Sequence, residues 1–510
     1  MSTGLRKNSA QWVLLLAVFI IATCGLIYEL VAGTLASYLL GDSVTQFSII
    51  IGVYLFSMGI GSYLSRFFNH YLIEWFIRVE LLVGLVGGFS AAVLFLVFPL
   101  AVSFQPILYA IVSVTGILVG IEIPLLLRIL KDKVEFKELV SRVFTYDYIG
   151  ALLASLIFPL LFVPYLGLIR TSLFFGLLNI GVGLYLCHYF SAEIRNANRI
   201  RTGGIIILIG QIAAFIFSEN IMSFSETLAF NDQVVYSTST PYQRIVITKN
   251  RRELRLYLNN NLQFSSADEY RYHEALVHPA MMASNHPKNI LILGGGDGLA
   301  AREILKYNAV QTIQLVDLDP VMTKLFSTQK ILSEINHHSL TNRKVRITNA
   351  DAFVWLKQNK TKYDCVIIDF PDPSGFSVGK LYTTAFYRLL KTAMTKNAVA
   401  VIQSTSPYVA PKSFWCVSET LKASGFNAVA YHNYVPSFGE WGYVMAMNFI
   451  PYQIPDTFNI EKKYISRAVM QQMLQFPEDM KAHETLEINK LNNQALVTYF
   501  EQEWGKYLEQ

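Results

Sequence analysis

The sequence predicts a multi-pass α-helical membrane domain over residues 1–224, followed by an α/β part in which a small β-sheet subdomain leads into a doubly wound sheet. Three observations carry this prediction. Nearly all the long apolar runs fall within residues 11–224. A strand, glycine turn, helix, strand and acid follow one another from Lys288 to Pro320. A further strand-like run, Cys365–Ile368, ends in Asp369 on a loop held by Pro371 and Pro373.

The apolar stretches lie near 11–31, 45–65, 79–100, 106–128, 146–167, 168–189 and 203–219. Most reach the roughly 20 residues that a bilayer crossing needs. The count is about seven spans, and the last is the weakest, because Gly203–Phe217 is short and is followed by Ser218 and Glu219. Lysines and arginines cluster before the first span (Arg6, Lys7) and between the second and third (Arg66, Arg78). They cluster again between the fourth and fifth (Arg128, Lys131, Lys133, Lys137, Arg142) and between the sixth and seventh (Arg195, Arg199, Arg201). The opposite loops hold only Arg170, so the N-terminus and the basic loops are expected in the cytoplasm.

Ionisable groups at membrane depth are costly and mark function. Glu29, Glu80 and Asp147 sit near span ends and read as solvated or paired with a nearby arginine. Glu122, between Ile121 and Ile123 and before Pro124, sits well inside a span. If such acids face the bundle interior, they suit an organic cation.

Composition supports the division. The chain is 53% hydrophobic and 15% charged, against roughly 25% charged for soluble domains. The net charge of +5 makes no case for nucleic acid. Cys24, Cys187, Cys365 and Cys416 form no CxxC pair, so neither a disulfide framework nor a metal site is expected. There is no cleavable signal pattern.

Residues 225–285 read as the β-sheet subdomain with its first helix. Gln233–Tyr236, Arg244–Thr248 and Leu254–Leu258 are strand-like, with polar turns at Lys249–Glu253 and Asn259–Asn261. Ser266 or Asp268 can cap the helix that follows, and Glu269 stands at capping-box spacing from Ser266. Tyr272, His273 and Glu274 fall in its first turns, while His278 before Pro279 reads as structural.

Residues 286–455 read as a Rossmann-like domain of the class I methyltransferase type. Asn289–Leu293 is a buried strand, Gly294, Gly295, Gly296 and Gly298 form the turn, and Leu299–Lys306 is a helix. Glycines let the backbone approach a ligand closely. The spacing is not the dinucleotide fingerprint, since Leu299 stands where the third glycine belongs. Asp297 puts a negative charge where a pyrophosphate would lie, which favours a cationic ligand such as a sulfonium nucleoside.

Thr312–Val316 is the second strand, ending in Asp317, which can accept ribose hydroxyls, and then Asp319. Val321–Asn336 is expected helical, and Val345–Ile347 is the third strand. Asp351, beside Ala352, can meet an adenine or cap the helix Ala352–Gln358; the readings are compatible. Asp369 and Asp372 can hold and deprotonate an ammonium, or serve as turn residues. Val399–Gln403 is another strand, and Pro436–Ala446 reads as a hairpin loop carrying aromatics near the site mouth. Residues 456–510 are expected to be a polar helical tail.

With these residues assembled, the chain from about 232 to 450 resembles the spermidine synthase (polyamine aminopropyltransferase) family, and the whole arrangement resembles its membrane-fused bacterial branch. The matching motifs are Tyr242-Gln243, Leu262-Gln263, Asp268-Glu269-x-x-Tyr272-His273-Glu274, Gly294-Gly295-Gly296-Asp297-Gly298, Asp317, Asp351-Ala352, Asp369-x-x-Asp372-Pro373 and Leu381-Tyr382. The resemblance implies aminopropyl transfer from decarboxylated S-adenosylmethionine, a co-substrate with no prosthetic group beside it, to putrescine or a related polyamine. The products would be spermidine and 5'-methylthioadenosine.

It also implies roles. Gln243, Gly294, Gly296, Asp317, Asp351 and Ala352 would hold the nucleoside. Tyr272, His273 and Asp297 would line the amine channel. Asp369 would be the base and Asp372 an amine holder. An oligomer and a lipid bilayer are the implied partners. Donor supply favours a cytoplasmic catalytic half on the cell (inner) membrane, which requires residues 203–219 to be interfacial or re-entrant. Two other readings stay open. One is an S-adenosylmethionine-dependent methyltransferase, against which Asp297, the Asp369/Asp372 pair and the Tyr272-His273 helix argue. The other is a membrane polyamine transporter or sensor, which the membrane acids support.

Overall fold

The computed structural model describes residues 2–40, 43–101, 103–131, 136–230, 232–251, 253–284, 287–448, 452–456 and 459–508. Lys133, one of the loop cations above, lies outside them. The chain forms two compact units, residues 1–234 and 235–510.

The α-helices among the described residues of the first unit are α1 (Ser2–Leu40), α2 (Ser43–Leu64), α3 (Leu72–Val97), α4 (Gln105–Leu130), α5 (Phe136–Ile157), α6 (Val163–Tyr189), α7 (Ala197–Ile216) and α8 (Ser218–Ala229). Among the described residues, six helical runs are long and apolar enough to cross a membrane, against the seven spans expected. The difference lies in Lys137–Tyr189, a 53-residue run that counts once. Straight, it would measure about 80 Å, far beyond the ~30 Å of a hydrocarbon core. It is not straight. Gly167 takes non-helical φ 72, ψ 176, and the rings of Phe162 and Phe175 meet at 4.9 Å. In an unbroken helix those residues would stand about 20 Å apart. The run therefore folds back into two limbs.

α7 lies along α3. Near its start the Arg195 amide donates to Glu74 Oε2 at 3.1 Å. Midway, Gln211 Nε2 donates to the Gly84 carbonyl at 2.5 Å. Beyond its end, Ser225 Oγ donates to the Phe95 carbonyl at 2.6 Å, and Ser218 Oγ accepts from Arg170 Nε at 2.7 Å. The expectation that Glu80 is solvated or paired with arginine is overturned. Glu80 is fully buried, and neither carboxylate oxygen has a hydrogen-bond partner among the described residues. The nearby Arg78 is taken by Glu74, one helical turn earlier, at 2.5 Å.

The second unit opens with a four-stranded antiparallel sheet, β1 (Gln233–Ser239), β2 (Arg244–Lys249), β3 (Leu254–Leu258) and β4 (Asn261–Ser265). The fourth strand goes beyond the sequence reading, which took Asn259–Asn261 as a closing turn. Asn259 (φ 49) and Asn260 (φ 66) form a tight hairpin turn that pairs Leu258 with Asn261. Helix α9 (Glu269–Ala283) then leads into a seven-stranded sheet.

That sheet contains β5 (Asn289–Gly294), β6 (Thr312–Asp317), β7 (Val345–Asn349), β8 (Tyr363–Asp369), β9 (Met394–Gln403), β10 (Asn427–Val435) and β11 (Gly439–Met447). Its order is β10-β11-β9-β8-β5-β6-β7. The first five strands are parallel, and the β10–β11 hairpin adds antiparallel to β9. Ile290–Leu293, Cys365–Ile368 and Val399–Ile402 are wholly buried, which is why they read as continuous apolar runs instead of alternating ones. β5 is flanked by β6 and β8, from which the chain winds away in opposite directions. Such a switch point opens a crevice at the strands' carboxyl ends. Helix α10 (Leu299–Ile304) follows the glycine turn.

Two expected helices are shorter than the sequence suggested. Val321–Asn336 breaks at Gln329 (ψ 118) into Pro320–Thr328 and Lys330–Ile335. Within the expected helical tail, the described α-helices are only Arg467–Met473 and Ala495–Leu508. A side chain of this tail caps the helix Pro411–Ala423. Glu503 accepts from the Lys412 and Ser413 amides at 2.9 and 3.0 Å.

Candidate active site

The strand register gathers the acids at one edge. Gly294 pairs with Asp369, Leu293 with Val316 just before Asp317, and Ile368 with Ile402 just before Gln403. Asp297, Asp317, Asp369 and Asp372 are all half-buried there.

The glycine turn is shaped by close approach. A Cβ on Gly294 (φ 83) would lie 2.1 Å from the Asp369 carbonyl oxygen, and one on Gly296 would lie 2.7 Å from the Asp317 carboxylate. Only glycine leaves this space. The Gly296 amide donates to Asp317 Oδ2 at 3.0 Å and the Asp319 amide to Oδ1 at 2.9 Å. Burial pushes Asp317 up to about 6, with the charges of Asp319 and Asp297 assisting and these two amides opposing.

Asp319 is the organiser that sequence reasoning passed over. It is buried, caps the next helix through the Val321 amide at 2.9 Å, and accepts from Thr240 Oγ1 at 2.8 Å and Gln243 Nε2 at 3.0 Å. It thereby ties the β1–β2 connection to the end of β6. Its signal was its place two residues after Asp317 and directly before Pro320, at a helix start.

Asp351 caps the helix Ala352–Gln358 through the Val354 amide at 3.1 Å. Its other oxygen is held by Lys380 Nζ at 2.6 Å. Burial alone would raise this carboxyl, but Lys380 and the backbone donors hold it below its usual range. Ala352 is buried behind it.

α9 supplies the opposite wall. Tyr272 Oη donates to Asp369 Oδ1 at 2.5 Å. Its ring meets those of His273, Phe438 and Tyr443 at 5.0, 6.1 and 5.6 Å. The expected capping box is absent. Asp268 is the N-cap but makes no side-chain cap bond; its carboxylate instead accepts from the Ser437 amide at 2.7 Å and hydroxyl at 2.9 Å. That pins the β10–β11 turn, with Phe438, against α9.

His273 is buried, and its Nδ1 lies 2.9 Å from Glu269 Oε2. Burial works against its charge, but Glu269, Asp297 and Asp369 outweigh burial and raise it to about 9. It is an imidazolium at neutral pH. Glu269 is clamped by Arg302 through two 2.8 Å bonds; His273 and Arg302 overcome its burial and bring it down to about 2. Arg302 stands in α10 with no motif to mark it, so this clamp was invisible in the sequence. Asp297 Oδ1 accepts from the Leu299 amide at 2.9 Å, and burial raises this carboxyl despite the facing imidazolium.

Burial likewise pushes Asp369 up to about 6, with Asp297 adding to the rise and His273 and the Tyr272 hydroxyl opposing it. Asp372 rises to about 6 through burial, against hydrogen bonds from Gln403 Nε2 at 3.2 Å and Thr405 Oγ1 at 3.4 Å. Gln403 also donates to the Phe370 carbonyl at 2.6 Å and accepts from Trp441 Nε1 at 3.2 Å. Thr405 in turn accepts from Trp504 Nε1 at 3.2 Å. The Asp369–Asp372 loop is thus fixed by β9, the hairpin and the C-terminal helix. Of the site residues expected in the α/β part, Tyr272, His273, Asp297, Asp317, Asp369 and Asp372 are brought together at this sheet edge, while Gln243 is joined to it through Asp319 and Asp351 stands at the end of β7; the arrangement can hold a nucleoside beside an amine.

Residues 269–449 match the spermine/spermidine synthase domain family. The chain is 50% identical over 499 residues to a polyamine aminopropyltransferase of Leptospira interrogans, covering 98% of this chain and 100% of that protein. It is 49% identical over 506 residues to polyamine aminopropyltransferase 2 of Ralstonia nicotianae, covering 98% and 99%. Among solved structures, a spermidine synthase from Thermotoga maritima aligns with 54% of this chain and 88% of its own at 24% identity and a TM-score of 0.44.

Proposed function

The chain belongs to the polyamine aminopropyltransferase family and is an aminopropyltransferase, and from that premise we propose that it moves the aminopropyl group of decarboxylated S-adenosylmethionine to putrescine. The observation that carries this reading is the Asp369 carboxylate, raised to about 6 and held by Tyr272, on the same sheet edge as the Gly296–Asp317 cradle.

The donor's ribose would sit at Asp317, beside Gly294 and Gly296, with Gln243 and the Asp351–Ala352 turn at its periphery. The acceptor amine would lie between Asp369 and Asp372, under Tyr272. Nitrogen attacks the carbon next to the sulfonium, the carbon–sulfur bond breaks, and its electron pair stays on sulfur. 5'-Methylthioadenosine leaves neutral and needs no acid. The new secondary ammonium gives its proton to Asp369. The amine must arrive unprotonated, although an alkyl ammonium titrates near 10.4. A carboxylate with a pKa near the working pH is suited to take up the single proton released after the new bond forms, and the neighbouring His273 imidazolium disfavours the protonated form of the attacking nitrogen. Asp297 can pair with the donor's own ammonium and repel the carboxylate of ordinary S-adenosylmethionine. Alignment of nitrogen, carbon and sulfur supplies much of the remaining rate.

The same reading places the chain in the cell membrane as a multi-pass protein. Support comes from the apolar helices and from large side chains left exposed on the helical unit, such as Phe56, Leu160, Tyr165 and Ile206, which water does not favour.

The test is product analysis by mass spectrometry. Full-length protein in lipid is given decarboxylated S-adenosylmethionine and a panel of amines, with ordinary S-adenosylmethionine in parallel. Spermidine with methylthioadenosine is the expected result. Methylated amine from the ordinary donor, or no product from putrescine, would overturn the assignment of donor or acceptor respectively.

A further inference from the structure

The helical unit holds a partly open cavity of about 180 Å³ between α1, α2, α3, α4 and α5. Dry cavities near 150 Å³ admit benzene, so this one has room for a small organic molecule. Glu29 of α1, Glu122 of α4 and Asp147 of α5 line it, and none of its described lining residues is lysine, arginine or histidine. The rest of the wall is mainly apolar, with the aromatic rings of Tyr54 and Phe76 and the thioether of Met58.

Glu122 lines this cavity at 2% exposure, and its Oε1 has no hydrogen-bond partner among the described residues. Glu80 lies next to it, within hydrogen-bond reach of its carboxyl, fully buried, and apart from Glu122 no described group supplies a donor to either Glu80 oxygen. A buried acceptor without a donor is unusual in a folded protein, and at membrane depth it is costly. Both acids sit eight residues from the basic end of their helices, Glu80 after Leu72 and Glu122 before Leu130, about 12 Å in from that end. What these carboxylates lack is a cation with hydrogen-bond donors.

The chemistry of the lining narrows the cation. Among the described residues no three acidic, histidine or cysteine side chains converge as metal ligands would. The acids are strung along different helices with apolar and aromatic surface between them. That pattern fits ammonium groups on an aliphatic stem. Carboxylates accept the N–H donors, the methylenes lie on the apolar wall, and an ammonium can also face Tyr54 or Phe76. We propose that this cavity is a second ligand site, separate from the transferase cleft, for an aliphatic amine carrying more than one ammonium.

The experiment is equilibrium binding of radiolabelled 1,4-diaminobutane to full-length protein in lipid nanodiscs. The Asp369→Asn, Asp372→Asn double variant is used so that the transferase cleft contributes little. One diamine per chain is expected to remain, and Glu122→Gln added to that background should weaken it at least tenfold. No binding in the double variant, or binding unchanged by Glu122→Gln, overturns the proposal. Displacement by sodium or magnesium as effective as by unlabelled diamine overturns the organic class of the ligand. A second measurement needs no variant. A hydrophobic carbodiimide should modify Glu122 in the wild-type protein, mapped by peptide mass, and 1,4-diaminobutane should protect it. Modification at the same rate with and without the diamine also overturns the proposal.

Discussion

Tyr272 Oη and Asp369 Oδ1 lie 2.5 Å apart, joining helix α9 to the carboxyl end of β8 across 97 positions of sequence. The hydroxyl stabilises the ionised carboxylate against burial and against Asp297. A hydrogen bond to a charged group contributes about 1.5–3 kcal/mol, and one pH unit corresponds to about 1.4 kcal/mol. Tyr272→Phe should therefore raise Asp369 further and move the acid limb of the kcat/KM profile upward from about 6 by about one to two pH units. A pH–rate series on the variant checks this, and an unmoved limb would show that Asp369 is not the group titrating.

Asp369→Asn keeps the shape of the loop but removes the proton acceptor. General base catalysis contributes about 10²–10⁴-fold, and that loss is expected in kcat. The donor KM should change little, since Asp317 stands at the end of β6, on the other side of β5 from Asp369. Steady-state kinetics with the two substrates varied separately distinguish the two parameters, and an unchanged kcat would sink the role given to Asp369.

The Glu269–His273 pair sets a pH window for stability. Glu269 is lowered to about 2, so its contribution is present above the ordinary carboxyl range and is lost as pH falls towards 2. His273 is raised to about 9, so its contribution is present below the ordinary imidazole value and is lost as pH rises towards 9. The pair is therefore most stabilising between about 4.5 and 6.5. Glu269→Gln should flatten this dependence and lower overall stability by about 3–5 kcal/mol, because Arg302 is left short of a partner in a buried site. Thermal unfolding across pH 4 to 9, an interval of about five units around the ordinary values, reads both effects. A variant whose Tm varies with pH as the wild type does would contradict the assignment.

The sequence carried some of this geometry plainly and hid the rest. The glycine turn and the strand-end acids were legible because their spacing follows from strand–turn–helix geometry, which is local. Arg302, Gln403, Thr405 and Trp504 were not, because each reaches the site only through tertiary packing: Arg302 bonds a residue 33 positions away, and Trp504 one 99 away. The missing side-chain cap at Asp268 has the same cause. A local cap competed with the Ser437 contact, 169 positions distant, and the tertiary contact won. In the helical unit the sequence located Glu122 inside a span, but it could not tell that Glu80 loses Arg78 to Glu74, since either carboxylate is near enough in the chain.

Gly296 tests the nucleoside cradle through space alone. A methyl group there would lie 2.7 Å from the Asp317 carboxylate, and the misfit should displace Asp317 or the turn. Overpacking of this kind costs about 1–3 kcal/mol, so Gly296→Ala should weaken donor binding about tenfold and leave the amine KM nearly unchanged. Calorimetric titration with methylthioadenosine measures the donor side directly. Wild-type affinity in that variant would mean that the nucleoside does not rest on this turn.

The path of α7 bears on the side of the membrane. The helix begins beside Glu74 and is followed by Ser218 beside Arg170, so it traverses the bundle from one end to the other. Arg66, Arg128, Arg195, Arg199 and Arg201 belong to the end where it begins, and Arg170 to the end where it finishes. By the distribution of loop cations the finishing end is expected to be extracytoplasmic, which opposes the cytoplasmic placement favoured by donor supply. The four native cysteines are buried and should be silent to a membrane-impermeant maleimide, so single added cysteines report cleanly. Ser223→Cys on the exposed side of α8 should label in intact cells, and Ser141→Cys at the basic end only after permeabilisation. The reverse pattern would put the end of α8 in the cytoplasm and restore the placement expected from donor supply. The expected pattern has a further consequence: spheroplasts given decarboxylated S-adenosylmethionine and putrescine from outside should release methylthioadenosine into the medium, because the reaction would then run on that face.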